Sequence, residues 1–180
     1  RQTEGDKHFS AALRYQGQGR LEEAIAEYDK AISLDPNLAV AYTNRGVAYN
    51  DLGQHRWAID DLNEAISLEA QLAMAYNSRG VAYGGLGQYR EAIEDLDGAI
   101  SLDPQLPMAY TNRGNAYVGL GQHQRAIEDQ DEAIRLNPQF AGAYSNRGYS
   151  YYNLGRYRLA IQDFDKAVSL GPQLAAVYAN

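Results

Sequence analysis

The chain has 180 residues, sixteen basic against twenty-three acidic side chains for a formal charge of −7, and no cysteine. That balance, with no basic stripe, argues against DNA or RNA as a partner, and the missing thiols exclude a disulfide framework or a thiolate metal site. No apolar run approaches the roughly 20 residues of a membrane span and no signal-peptide pattern is visible, so membrane insertion is not expected and a cytoplasmic location is.

In chain order, the stretch AYTNRGVAY starting at Ala41 returns as AYNSRGVAY, AYTNRGNAY and AYSNRGYSY, each thirty-four residues after the last. Aligned on its glycine, the chain divides into units 5–38, 39–72, 73–106, 107–140 and 141–174, and residues 175–180 open a sixth. Units 39–72 and 73–106 are identical at 22 of 34 positions, more than shared helical composition would produce. A fixed period of this size predicts a row of small stacked units in one array spanning 1–180, not one globular core.

The first unit is atypical, with His8 and Ala12 in slots that are aromatic and glycine elsewhere. In the second, Tyr42, Arg45, Gly46 and Tyr49 recur at spacings of three and four, one face of a helix that Gly53 ends. Ala58, Leu62, Ala65 and Ile66 then share a face of a second amphipathic helix. Asp35-Pro36, Asp103-Pro104, Asn137-Pro138 and Gly171-Pro172 stop the second helix of their units, because the residue before proline is pushed out of the helical region. Glu69-Ala70 stands where the second unit lacks that proline, which predicts a looser turn there.

Tyr76, Gly80, Tyr83, Ala92, Leu96, Ala99 and Pro104 of the third unit carry a pattern that resembles the tetratricopeptide repeat, and similar matches cover nearly the whole chain. The resemblance implies an all-α fold, a right-handed superhelical solenoid of antiparallel helix pairs, five repeats and the start of a sixth. It implies a protein-interaction scaffold whose first helices line a concave groove that binds an extended peptide. The glycines Gly46, Gly80, Gly114 and Gly148 fall opposite Ala58, Ala92, Ala126 and Ala160, so that two backbones approach closely enough to offset the roughly 1 kcal/mol that a helical glycine costs.

Arg45, Arg79, Arg113 and Arg147 each precede an aspartate by sixteen residues, Asp61, Asp95, Asp129 and Asp163. Across a short turn these positions face each other, and an ion pair within the unit is the expectation. Asn44, Asn112 and Asn146, with Ser78 between them and Asn180 after them, occupy the preceding slot, about 100° round the helix and off the partner-facing stripe. Their row resembles the asparagine ladder of the O-GlcNAc transferase repeat domain, in which carboxamides hold a peptide backbone; a carboxamide offers one acceptor and two donors whatever the ligand's side chains. Asn115, Tyr149, Tyr152 and Asn153 complete the candidate groove, with the tyrosines as its side-chain pocket. A carboxylate clamp of the chaperone-binding kind would need basic groove residues. Instead the chain has Val40, Met74, Met108 and Gly142, then Thr43, Asn77, Thr111 and Ser145.

No catalytic residue, cofactor or metal site is expected. His8, His55 and His123 fill aromatic slots, adjacent acids such as Asp60-Asp61 do not face each other on a helix, and the run Gly84–Gly87 lacks the strand and Lys-Ser/Thr of a phosphate loop. Trp57 and Leu159 stand where sister units have charged residues, a candidate contact point. The alternatives to a peptide groove are head-to-tail self-association through the uncovered last helix pair and a targeting segment of a larger enzyme.

Overall fold

The computed structural model describes residues 3–171, and every regular element among them is an α-helix. Pro172, the opening of a sixth unit at 175–180 and the rung at Asn180 lie outside the described residues. The chain falls into two compact units, Arg1–Gln88 and Tyr89–Asn180.

In the first unit α1 (Glu4–Gly17) pairs with α2 (Leu21–Leu34), α3 (Ala39–Asp51) pairs with α4 (His55–Leu68), and α5 (Ala73–Gly85) packs on α4 and α3. In the second unit α6 (Tyr89–Leu102) packs on α7 (Pro107–Gly119), which pairs with α8 (His123–Leu136). There α9 (Ala141–Asn153) packs on α8 and pairs with α10 (Tyr157–Leu170). Helices of 13 or 14 residues are marginal alone in water, so packing must hold them.

The turn within each helix pair has one solution. Gly53 takes φ 71°, in the left-handed region, its N–H donates to Asn50 O at 2.9 Å, and the next N–H, of Gln54, reaches back to Tyr49 O at 2.8 Å. These two bonds satisfy carbonyls that the end of α3 leaves open, the Schellman arrangement. Glycines 19, 87, 121 and 155 repeat the geometry, so the antiparallel turn is written once per repeat.

The second helix ends differently. Asp35 turns extended before Pro36, and its Oδ1 accepts the Asn37 N–H at 3.1 Å; Asp103 and Asn137 do the same for Gln105 and Gln139. Glu69, with Ala70 in the proline slot, follows the same extended path (φ −143°, ψ 98°) without that side-chain bond. Packing therefore sets this turn, and neither the proline nor the Asx bond is required for it.

The core is built from small residues. In the first unit Ala58, Leu62, Ala65, Ala75 and Ala82 form a fully buried cluster from α4 and α5, flanked by Tyr42, Tyr49, Ile59, Ile66 and Leu72. Alanines let the backbones approach, and the rings and branched chains fill the edges. Gly46 marks the tightest point: a Cβ there would lie 2.8 Å from Leu62 Cγ and 3.3 Å from Ala58 O. The backbone approach to Ala58 is as expected, but Leu62, one turn further on, is what presses hardest. Tyr28 fills the Leu62 slot of the first repeat and donates its hydroxyl to Gln16 Oε1 at 2.6 Å; burial pushes its pKa up to about 12.

Candidate functional site

Each Asn-Arg-Gly step splits into layers. The arginine belongs to the architecture: Arg45 donates Nε and Nη2 to the two carboxylate oxygens of Asp61 at 2.7 and 2.6 Å, a bidentate fork. Arg113 and Arg147 grip Asp129 and Asp163 in the same way. The remaining guanidinium nitrogen reaches back to the preceding repeat, Arg45 to Asp29, Arg113 to Asp97 and Arg147 to Asp131, at 2.5 to 2.6 Å. Arg79 meets Asn63 in that slot, Nη1 to Oδ1 at 2.7 Å. Each arginine also lies over the ring of the tyrosine three residues before it, at 5.5 to 5.7 Å from the centroid.

Burial opposes the charge on Arg45, yet hydrogen bonds to Asp61 and Asp29 more than offset it and raise its pKa. Hydrogen bonds to Asp129 and Asp163 likewise raise those of Arg113 and Arg147. Burial pushes the Asp61 and Asp129 carboxyls up against the opposing pull of their arginines. All three nitrogens of each of these guanidiniums are thus committed to aspartates, and the charge is spent inside the fold. In the first repeat, where Ala11 replaces the arginine, His8 Nδ1 stands 2.6 Å from Glu27 Oε2 and restores the cross-helix tie. Hydrogen bonds from Lys30 and then His8 lower the Glu27 pKa.

The asparagine beside each arginine is placed otherwise. Asn44 and Asn146 are half-buried, and their carboxamides make no hydrogen bond among the described residues; Asn112 is half-buried as well. Ser78 is buried at 4% exposure, and its backbone carbonyl accepts from Asn50 Nδ2 at 2.8 Å. Thr43, Asn77, Thr111 and Ser145 are buried too, which corrects their expected place in the groove. Thr43 turns its hydroxyl inward onto Ala39 O at 3.0 Å.

In the second unit Asn115 and Asn153 are exposed, with Asn153 Nδ2 bonded to Tyr149 O at 2.8 Å. Tyr149 and Tyr152, one turn apart on α9, are 51% and 57% exposed. Tyr149 meets His123 edge-on at 6.5 Å and Tyr152 tilts against Tyr157 at 5.6 Å. In the first unit Trp57 is exposed beside Tyr49 at 6.4 Å. Two hollows of about 400 and 440 Å³ recur at equivalent turns, one lined by Gly53 to Trp57 and Leu86, the other by Gly121 to Arg125 and Leu154.

His8 and His55 are tied into the fold by hydrogen bonds, whereas His123 Nδ1 is buried without a partner. His55 Nδ1 lies 3.1 Å from Asn50 Oδ1 and its ring covers Gly85, where a Cβ would collide with it. Tyr89 covers Gly119 in the same manner, its Cε1 2.5 Å from where a Cβ would stand. Among the described residues no group of His, Asp and Glu is arranged to hold a metal ion, and no helix is long and apolar enough to cross a membrane.

Against known proteins, the TPR repeat profile matches residues 12–53, 85–121 and 114–155, and the tetratricopeptide repeat profile matches 39–71 and 141–174. No curated protein sequence matches the chain. Among solved structures, the crystal structure of MamA is similar at 30% identity over 97% of this chain and 98% of its own, with a TM-score of 0.74. YrrB, described as a TPR protein with an unusual peptide-binding site, is 25% identical over 92% of this chain and 85% of its own, with a TM-score of 0.67. TTC0263, a thermophilic TPR protein of Thermus thermophilus, superposes with a TM-score of 0.86 over 97% of both chains at 19% identity, a likeness of fold.

Proposed function

The chain belongs to the tetratricopeptide repeat family, and from that premise we propose that it is a protein-interaction scaffold whose first helices bind an extended peptide of a partner protein. The single observation that carries the reading is the division of labour inside AYTNRGVAY. Tyrosine, arginine and glycine are consumed by the helix pair, whereas the carboxamides of Asn44 and Asn146 keep a donor and an acceptor free among the described residues. Asn112, Asn115 and Asn153 extend the polar row, and Tyr149 and Tyr152 supply rigid aromatic area for a ligand side chain. Ser78 holds the corresponding rung of the third repeat with a shorter polar side chain. YrrB, a relative of similar construction, is described by a peptide-binding site. No catalytic step is assigned to any residue.

A row of amides reads backbone, so its test is on the backbone. Peptides selected from a random phage-displayed library should keep their affinity within a few-fold when non-anchor side chains are exchanged. Methylating the backbone nitrogens that face the row should cost about tenfold per position, the loss of one hydrogen bond with its partner left unsatisfied. Tolerance of N-methylation at every position would contradict the reading. Head-to-tail self-association is the second reading, favoured by the exposed Ile161 and Val168 on α10.

A further inference from the structure

The seven arginines of the second unit fall into two groups. Arg113 and Arg147 are forked onto aspartates and Arg135 pairs with Glu132, whereas Arg90, Arg125, Arg156 and Arg158 make no ion pair among the described residues. All four follow a turn glycine by one to four residues. Counted from three residues before each turn glycine to five after it, the stretches 16–24, 50–58 and 84–92 each carry an acid: Glu22 and Glu23, Asp51, and Glu91. The stretches 118–126 and 152–160 carry none, in a chain whose net charge is −7. These two acid-free turns share one surface, because Gly121 to Arg125 and Leu154 line the same hollow of about 440 Å³.

That surface is apolar as well as basic. Leu154 is 40% exposed and Leu159 42%. The openness belongs to the turns themselves: Leu120 in the Leu154 slot and Trp57 in the Leu159 slot are exposed too, although α9 packs on α8 and α5 on α4. Arg125 is held by neutral groups, donating Nη1 to Gln122 Oε1 at 3.0 Å and lying 5.6 Å from the Tyr117 ring centroid, so its charge is positioned before a ligand arrives. We propose that the α7/α8 and α9/α10 turns form a second docking surface, for an acidic segment of a partner protein. In that segment a leucine-sized side chain enters the hollow, and flanking carboxylates meet Arg125, Arg156 and Arg158. A guanidinium takes a carboxylate bidentately, as Arg113 takes Asp129 inside this fold. Three cations with leucines among them suit a polypeptide, whereas a nucleic-acid backbone needs a longer basic track. The surface is separate from the amide row and does not depend on it.

The probe is fluorescein-Gly-Glu-Glu-Leu-Glu-Glu-Gly-amide, titrated against the full chain by fluorescence anisotropy at low ionic strength, where exposed charges are least screened. Saturable one-to-one binding is expected. Arg125→Glu/Arg158→Glu gives these slots the acids that sister turns carry at Glu91 and Glu22, so the repeat tolerates it. It should weaken the probe by about tenfold or more, with the circular dichroism of the chain unchanged. Exchanging the probe's leucine for serine should weaken binding several-fold, through lost apolar burial. Asn112→Ala/Asn146→Ala should leave the probe's affinity unchanged, which keeps this surface distinguishable from the groove. No saturation at millimolar probe, binding indifferent to the arginine reversal, equal affinity for the serine probe, or loss of binding in the asparagine variant each overturns the proposal. So does tighter binding of an oligonucleotide, or of phosphatidylserine vesicles, that the same reversal abolishes, which would assign the arginines to phosphate.

Discussion

Leu62 of α4 and Gln130 of α8 occupy the same slot of the repeat, each fully buried and each pressed against the glycine of its paired helix, Gly46 and Gly114. In the first unit the contact is hydrocarbon on a bare backbone. In the second, Gln130 Nε2 donates to Thr111 O at 3.1 Å while its Oε1 and the neighbouring Thr111 hydroxyl are buried without partners. The helix pair closes the same way in both, so the repeat geometry is held by the glycine, the alanines and the arginine fork, and the side chain in this slot adjusts stability without redirecting the fold. Unsatisfied buried polar atoms make the α7/α8 pair the weaker of the two.

The comparison breaks most visibly if the glutamine is moved. Leu62→Gln should lower stability by about 3 kcal/mol, combining lost apolar burial with a newly buried carboxamide, seen as a fall in the urea midpoint. Next, Gly46→Leu and Gly114→Leu should each cost about 1 to 3 kcal/mol, because any Cβ meets Leu62 or Gln130 before it meets space. Equal costs at the two sites sharpen the claim that the glycine serves architecture in both units. In the other direction, Gln130→Leu should raise the urea midpoint by the equivalent of about 1 to 2 kcal/mol, by removing the unpartnered oxygen. A fall instead would mean that the Gln130–Thr111 bond matters more than the orphaned atoms. The smallest effect separates two neighbours at the end of α5. Gly84 has nothing within 4 Å of an added methyl, so Gly84→Ala should gain about 0.5 kcal/mol, whereas Gly85→Ala must displace the His55 ring and lose a similar amount.

How far this is legible in the sequence differs by layer. The period follows from recurrence, and the helix pairs, Gly53 as a stop and the Arg45–Asp61 type of pair follow from spacing within one repeat. The second bond of each arginine, to Asp29, Asp97 or Asp131, joins consecutive repeats. Its signal is present, an acid sixteen residues before the arginine as well as sixteen after, but a pair read within one unit does not look outside it. His8 on Glu27 escapes for a related reason: a histidine in an aromatic slot reads as packing, and only the missing arginine at Ala11 hints at an unpaired acid. The helical angle of Thr43 and its sister positions points to the groove, yet they are buried, since a helical wheel knows one partner and these helices have neighbours on two sides. Of the site itself, spacing places the asparagines in one slot of the repeat, but not contacts between repeats' neighbouring helices such as Asn50 Nδ2 on the Ser78 carbonyl.

The central claim is that, in each Asn-Arg-Gly step, the arginine builds and the asparagine binds. The most direct measurement is the affinity of a library-selected peptide for the Asn112→Ala/Asn146→Ala chain, taken with its urea midpoint. The account predicts an affinity about tenfold or more below the parent in a chain that still unfolds cooperatively. Unchanged affinity with an unchanged midpoint would contradict it.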